Sequence, residues 1–241
     1  MSRKNLVVTI GRQYGSGGRE IGSTLATQLG VAYYDKKLVF LAAQTSGYSM
    51  EAFVKQNEEV PRGLAWLFSY APHGNMLTDG GIPLDDQLFI AQANAIKHIA
   101  REHSCVIVGR CADYVLDDIR DEIDVVNVFV ISEEQARAER IARRNGLSID
   151  AAKARLKQIS PRRATYYERY TDRKWADPHN FDLTMNSAHL SAEGAADVIV
   201  SYLVGRGLVT RDELPLDPSE PRDLGEEPLT PPAPAGSGAP A

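Results

Sequence analysis

The chain has 241 residues, 27 Lys and Arg against 32 Asp and Glu for a net charge of −5, and is 43% hydrophobic and 24% charged. That composition excludes fibrous, collagen-like and wholly disordered chains, and no apolar run reaches the roughly 18–20 residues of a membrane span. Cys105 and Cys111 are the only cysteines, too few for a disulfide framework or a four-ligand zinc site.

The first apolar run, Leu6–Ile10, is short, continuous and β-branched, which predicts a strand buried on both faces rather than the core of a signal peptide. A cytoplasmic, reducing setting is expected. Gly-rich sequence follows, then a helix with Ile21, Leu25 and Leu29 on one face and Gly30 as its C-terminal cap. Val31–Tyr34 predicts a second strand. From about 36 to 104 the pattern is helical and irregular, with segments at Lys37–Gln44, Met50–Glu58 and Asp85–Glu102. Cys105–Val108 and Val125–Ile131 predict two further buried strands. Ser132-Glu133-Glu134-Gln135 reads as a capping box that opens a helix. Phe181–Met185 predicts the fifth strand, and Ser191 caps a last helix to about Val204. Strands alternating with helices imply right-handed parallel crossovers. The fold class expected is α/β: a three-layer sandwich on a five-stranded parallel sheet, with a helical lid.

The net charge conceals an uneven distribution. Residues 212–241 carry eight of the 13 prolines and seven acids against Arg222 alone, a local charge of −6. This segment cannot offset its ordering entropy by burial and is expected to be a disordered tail behind a domain of residues 1–211. Within the domain, residues 137–174 hold 12 Lys and Arg against four acids. A solvated helical face would account for such a run, and so would a nucleic-acid patch. The chain as a whole is acidic, however, and lacks nucleic-acid motifs, so no nucleic-acid or membrane partner is expected. A third reading is a lid over about 137–175 that brings arginines to a phosphoryl group, with Ser160-Pro161-Arg162-Arg163 as its turn.

Ligands of parallel α/β sheets sit beyond the carboxyl ends of the strands, which singles out Gly11–Glu20, Asp35, Gly109–Asp113, Ser132 and Asn186. Gly15-Ser16-Gly17-Gly18 leads from the first strand into the first helix. There backbone amides and a helix N-terminus can cradle an anion. A standard phosphate-binding loop continues with Lys and a hydroxyl after the last glycine. Here Gly18, Arg19 and Glu20 follow Gly17, so Arg19 is the substitute cation and Ser16 or Glu20 the contact to Mg²⁺, directly or through water. A rival is a short-chain dehydrogenase. Gly11, Gly15 and Gly17 have its glycine spacing, Asp35 sits where a ribose-binding acid would, and Tyr170-x-x-x-Lys174 imitates its catalytic pair. Residues 45–104 lack that fold's strands, and Trp175-Ala176-Asp177-Pro178 ends the helix the pair would need.

Taken together, the Gly-rich loop, Tyr33-Tyr34-Asp35, Val106-Ile107-Val108-Gly109-Arg110-Cys111-Ala112-Asp113, the Arg137/Arg140/Arg143 helix and Arg163-Ala164-x-Tyr166-Tyr167 resemble the cytidylate kinase-like family of P-loop nucleoside monophosphate kinases. The resemblance spans about residues 5–205. It implies a core, a monophosphate-binding region within about 36–104 and a lid. It also implies transfer of the ATP γ-phosphate, with Mg²⁺, to a nucleoside monophosphate such as CMP or dCMP. By the same resemblance Gly15, Ser16, Gly17, Gly18 and Arg19 hold the ATP phosphates, and Arg110 and Asp35 hold the acceptor. Asp113 orients Arg110 or a metal-bound water, and Arg163 and Arg169 are lid arginines. The missing Lys and hydroxyl depart from the family pattern and leave open a nucleotide-binding sensor or interaction protein without turnover. Tyr166, Tyr167, Tyr170 and Trp175 are expected to pack the lid on the core, and the five histidines show no metal spacing.

Overall fold

The computed structural model describes residues 4–35 and 84–216. The helices expected at Lys37–Gln44 and Met50–Glu58, most of the expected monophosphate-binding region, and the tail from residue 217 lie outside the described residues.

One parallel sheet carries the fold, in the order β2-β3-β1-β4-β5. Its strands are β1 (Leu6–Arg12), β2 (Ala32–Tyr34), β3 (Cys105–Val108), β4 (Asp124–Ile131) and β5 (Leu183–Asn186). The central strand, β1, pairs Val7–Ile10 with Cys105–Val108 on one side and Leu6–Arg12 with Asp124–Val130 on the other. A dinucleotide-binding sheet places its second strand beside its first. Here β3 lies between them, so the topology is not that of the dehydrogenase alternative.

Because side chains alternate across a strand, β1 feeds two separate apolar layers. Leu6, Val8 and Ile10 join Val126, Val128 and Val130 under helices α1 (Gly18–Leu29) and α6 (Ala192–Gly205). Val7 joins Cys105, Ile107 and Val125 under α2 (Leu84–Glu102) and the short α3 (Ala112–Val115). One polar pair interrupts the second layer: the buried Thr9 hydroxyl donates to Asn127 Oδ1 at 2.7 Å. A third, smaller core lies between α4 (Glu134–Asn145) and α5 (Ile149–Thr171), where Ala138, Ile141 and Ala142 meet Ala152, Leu156 and Ile159. None of the described helices is long and apolar enough to cross a membrane.

Three local expectations need correction. Ser132 does not cap α4. Its amide donates to Gln13 Oε1 at 3.0 Å, its hydroxyl has no hydrogen-bond partner, and the N-cap is Glu133 without a side-chain bond. Ser160–Arg163 is not a turn either, because α5 runs for 23 residues, about 34 Å, straight through Pro161. The bend of the arginine-rich pair falls instead at Gly146, in the left-handed region at φ 63°, with Ser148 capping α5 through the Ala151 amide. Finally, the folded body does not stop at 211. The Leu216 amide donates to the Leu29 carbonyl at 2.7 Å, and Leu214 and Leu216 pack against the α1–α6 layer. Two leucines among the prolines give this stretch apolar surface that the rest of its composition lacks. Other expectations hold: Ser191 accepts from the Gly194 amide at 3.1 Å, and Gly30 closes α1 at φ 64°.

Candidate functional site

The glycine loop connects the C-terminal end of β1 to α1 and is tied down from behind. The Gln13 amide donates to the Val130 carbonyl at 3.0 Å, and the Gln13 side chain holds the Ser132 amide at the end of β4. Arg140 Nη1 donates to the Gly15 carbonyl at 2.7 Å, and the Ser187 hydroxyl, just past β5, donates to the Ser16 carbonyl at 2.6 Å. Gly15 and Gly17 turn the chain at φ 82° and 81°, a region that a side chain disfavours. Gly17 is the N-cap of α1, with no side-chain bond to the first-turn amides. Those amides, with the positive end of the helix dipole, are the donors on offer to an anion.

Tyr14 fixes the loop to the arginine-rich helices. Its ring is buried in the α4–α5 core, and the Arg163 guanidinium lies over it at 5.1 Å from the ring centre. On α5, Leu156, Ile159, Arg163 and Tyr167 follow at helical spacing and share one face. The same stripe therefore begins as core, passes over the glycine loop as Arg163, and ends in Tyr167. Arg163 Nη1 reaches the Arg12 carbonyl at 3.4 Å.

Arg12, the last residue of β1, lies at the centre of the site. Its stem packs over Gly18, where a Cβ would come within 2.7 Å of Arg12 Cβ. Its guanidinium lies over Gly109, so that a Cβ there would overlap Nη1. Arg12 Nη2 is 3.8 Å from the buried Asp35 carboxylate, whose other oxygen is ion-paired to Arg19 Nε. Burial and the neighbouring Arg163, Arg110 and Arg19 charges push the Arg12 guanidinium down to about 10, although Asp35 acts the other way. Three guanidinium groups thus bear on Arg12, with the Asp35 carboxylate as counter-charge.

Arg110 owes its position to an unusual backbone. Gly109, Arg110 and Cys111 all adopt positive φ, at 81°, 64° and 54°. Two non-glycine residues in that region cost of order 1–3 kcal/mol each, and such strain concentrates at functional sites. The turn closes where β3 ends, and α3 begins directly behind it with Cys111 as N-cap.

The predicted residues divide into three groups. Gly15, Ser16, Gly17, Gly18, Arg19, Asp35, Arg110 and Arg163 come together at the carboxyl end of the sheet. Asp113 lies behind them: it is buried, and the Tyr167 hydroxyl donates to its Oδ2 at 2.6 Å, with burial raising its pKa against that bond. Arg169 points elsewhere, donating to Asp86 Oδ1 on α2 at 2.8 Å. Around it Tyr170 stacks on Phe89 at 4.2 Å and Tyr166 meets the same ring edge-on, while Trp175 packs edge-on against Phe129. Ser187 is a part of the site that the motif reading passed over, and Arg12, Gln13, Tyr14 and Arg140 lie within segments it singled out but were given no individual role. For Arg12 the signal was available: a basic residue at the end of an apolar run, six residues before a glycine standing where a lysine belongs.

The residues present do not fit a resident Mg²⁺. Ser16 is fully buried and its hydroxyl donates to the Gln13 carbonyl at 3.0 Å, Glu20 is exposed, and Asp35 is engaged by arginine. Among the described residues no three His, Cys, Asp or Glu side chains gather as metal ligands.

The sequence profile of the cytidylate kinase-like family matches residues 7–189, and the chain belongs to that family. The cytidylate kinase of Pyrococcus horikoshii is 24% identical over 203 residues, covering 83% of this chain and 88% of the relative. That of Thermococcus sibiricus is 26% identical over 203 residues, with the same coverage of 83% and 88%. Among solved structures, an uncharacterized protein from Eubacterium ventriosum superposes with a TM-score of 0.62 at 22% identity, over 84% of this chain and 100% of that one. This last likeness is one of fold. Together with the parallel sheet and glycine loop, these similarities make the chain a P-loop kinase-like protein.

Proposed function

We propose that the chain transfers the γ-phosphate of MgATP to a nucleoside monophosphate, with CMP or dCMP as the favoured acceptor. The observation that carries this reading is the gathering of Arg19, Arg110 and Arg163 around Arg12, with Asp35 as counter-charge, at the mouth of the glycine loop. So many mutually repelling cations at the end of a parallel sheet suit a site completed by a polyanion. The choice of acceptor rests on the family and on the named cytidylate kinases at 24% and 26% identity.

Phosphoryl transfer asks a protein for position and charge rather than for a nucleophile. MgATP supplies the phosphoryl group, and in this reading its Mg²⁺ arrives with it as part of the substrate. The loop from Gly15 to Gly18 and the amides of Arg19 and Glu20 cradle the donor phosphates. Arg110, aimed by its left-handed turn, grips the acceptor phosphate, and Asp35 at the end of β2 reaches its sugar or base. Arg163 neutralises charge as an acceptor oxygen attacks the γ-phosphorus and the bond to ADP breaks. Tyr167 and Asp113 hold α5, and with it Arg163, at the correct height.

A coupled ADP-release assay across CMP, dCMP, UMP, AMP and shikimate-sized hydroxyl acceptors tests the assignment. The expected result is ADP formation stimulated most by a pyrimidine monophosphate and lost in Arg163→Ala. Binding of ATP with no acceptor-dependent ADP would replace the kinase reading with that of a nucleotide sensor.

A further inference from the structure

Gly18 occupies the place where a phosphate-binding loop carries its lysine, and the space left by the absent side chain is not empty. The stem of Arg12 fills it, with Arg12 Cβ and Cγ at 2.7 and 3.0 Å from the position of a Gly18 Cβ. From there the guanidinium extends across Gly109, a second position without a side chain. We propose that Arg12, entering from β1, is the cation that bridges donor and acceptor phosphates in this chain, and that Gly18 and Gly109 are glycine so that it can pass.

Three observations favour Arg12 over Arg19 for this role. Arg19 makes the closer ion pair with Asp35, through Nε, whereas Arg12 Nη2 makes only a long one, 3.8 Å from the same carboxylate. The site is also centred on Arg12: its backbone carbonyl receives Arg163, and its guanidinium feels Arg163, Arg110 and Arg19 together. Lastly, position and reach agree. Arg12 ends the central strand two residues beyond the last β1–β3 pair, Ile10 with Val108, so it projects between the glycine loop and the Gly109–Arg110 turn. A guanidinium spanning two phosphates from this position offers a planar fork, where lysine offers a single point charge. Arg19 then becomes a positioning residue that holds Asp35 and keeps it from neutralising Arg12.

This inference rests on the kinase reading, but its test does not depend on turnover. The probes are inorganic tripolyphosphate and ATP, titrated calorimetrically into the full chain. Arg12→Met is expected to weaken both by about 10–100-fold, the loss of a charge-assisted pair of bonds, with a cooperative thermal transition retained. Gly18→Lys alone is expected to weaken binding as well, because its side chain collides with the Arg12 stem. In the double variant Arg12→Gly/Gly18→Lys, which also removes the Cβ at position 12 that a side chain at position 18 would strike, the lysine takes the vacated space, and affinity recovers at least about 10-fold over Arg12→Gly alone. A residue that merely supported the loop would not be rescued by a lysine from the other side of the gap. Wild-type affinity in Arg12→Met, or no recovery in the double variant while Arg19→Met loses binding, overturns the proposal and returns the role to Arg19. Should the wild-type chain bind tripolyphosphate through Arg12 yet release no ADP with any acceptor, the bridging role stands as an anion site while the kinase reading falls.

Discussion

Replacing Arg12 with methionine removes a charge that the folded chain holds at a disadvantage while keeping the stem that covers Gly18. The guanidinium is pushed down from its ordinary value to about 10, chiefly by burial and then by Arg163, with Asp35 compensating in part. Folding therefore favours its uncharged form. The folded value lies below the unfolded one, so the unfolded chain binds more protons as pH rises above about 10, and the handicap is complete at every pH below that. A displacement of this size corresponds to at most about 3 kcal/mol. Water still reaches 19% of the side chain, which reduces it, and the ion pair with Asp35 is lost as well, so a net gain of about 1–2 kcal/mol is expected for Arg12→Met. For a body of this size the gain raises Tm by roughly 2–8 °C. The assay is thermal and urea unfolding at pH 7 in low-salt, phosphate-free buffer, repeated with 1 mM-range tripolyphosphate. Without the anion the variant is the more stable chain. With it, the wild type recovers the difference, because only a folded state that binds the anion is stabilised by mass action. A variant less stable than wild type by 1 kcal/mol or more without anion would show that Arg12 is a strut of the fold, and the reasoning from crowded charge would fail.

Three further outcomes follow from the packing around the site. Tyr167→Phe leaves buried Asp113 without its hydroxyl donor and is expected to cost about 1–3 kcal/mol. Because burial already raises the Asp113 pKa, its share of stability is present at acid pH and is lost as pH rises through the folded value; urea unfolding should show a larger loss at pH 8 than at pH 4, and equal losses would contradict this account. Gly109→Ala places a Cβ into the Arg12 guanidinium at a φ of 81°, so a loss of about 1–3 kcal/mol and weakened ATP binding are expected together, by unfolding and calorimetry. Truncation after Thr210 removes Leu214, Leu216 and the bond to Leu29; it should lower stability by about 2–4 kcal/mol more than truncation after Leu216, checked by urea midpoints.

Much of this protein was legible because the signals were local. A run of β-branched residues can only be satisfied as a strand with both faces covered, and four glycines within eight residues mark a loop made for close approach. The excess of basic residues over 137–174 marks the two helices that bring Arg140 and Arg163 to the glycine loop. Glu133 displaced Ser132 as the cap, however, because Gln13, 119 residues earlier, takes the Ser132 amide. Pro161 stayed inside α5 because Leu156, Ile159, Arg163 and Tyr167 are all engaged along one face of a continuous helix. Arg169, which has the same chemistry as Arg163 and lies six residues further on, turns toward Asp86.

The amino-acid sequence by itself determined the alternation of strand and helix, the glycine-rich loop and the sign of the charge brought to it, since each depends on neighbours within a few residues. Only the tertiary structure decided which cation stands at the phosphate position. The parallel register of β1 against β3 and the crossing of α5 above them bring Arg12, Gly18, Asp35, Gly109 and Arg163 into one volume. The gap over Gly18 at the start of α1 is then filled by a side chain from β1. That exchange depends on distance in space, which no spacing along the chain encodes.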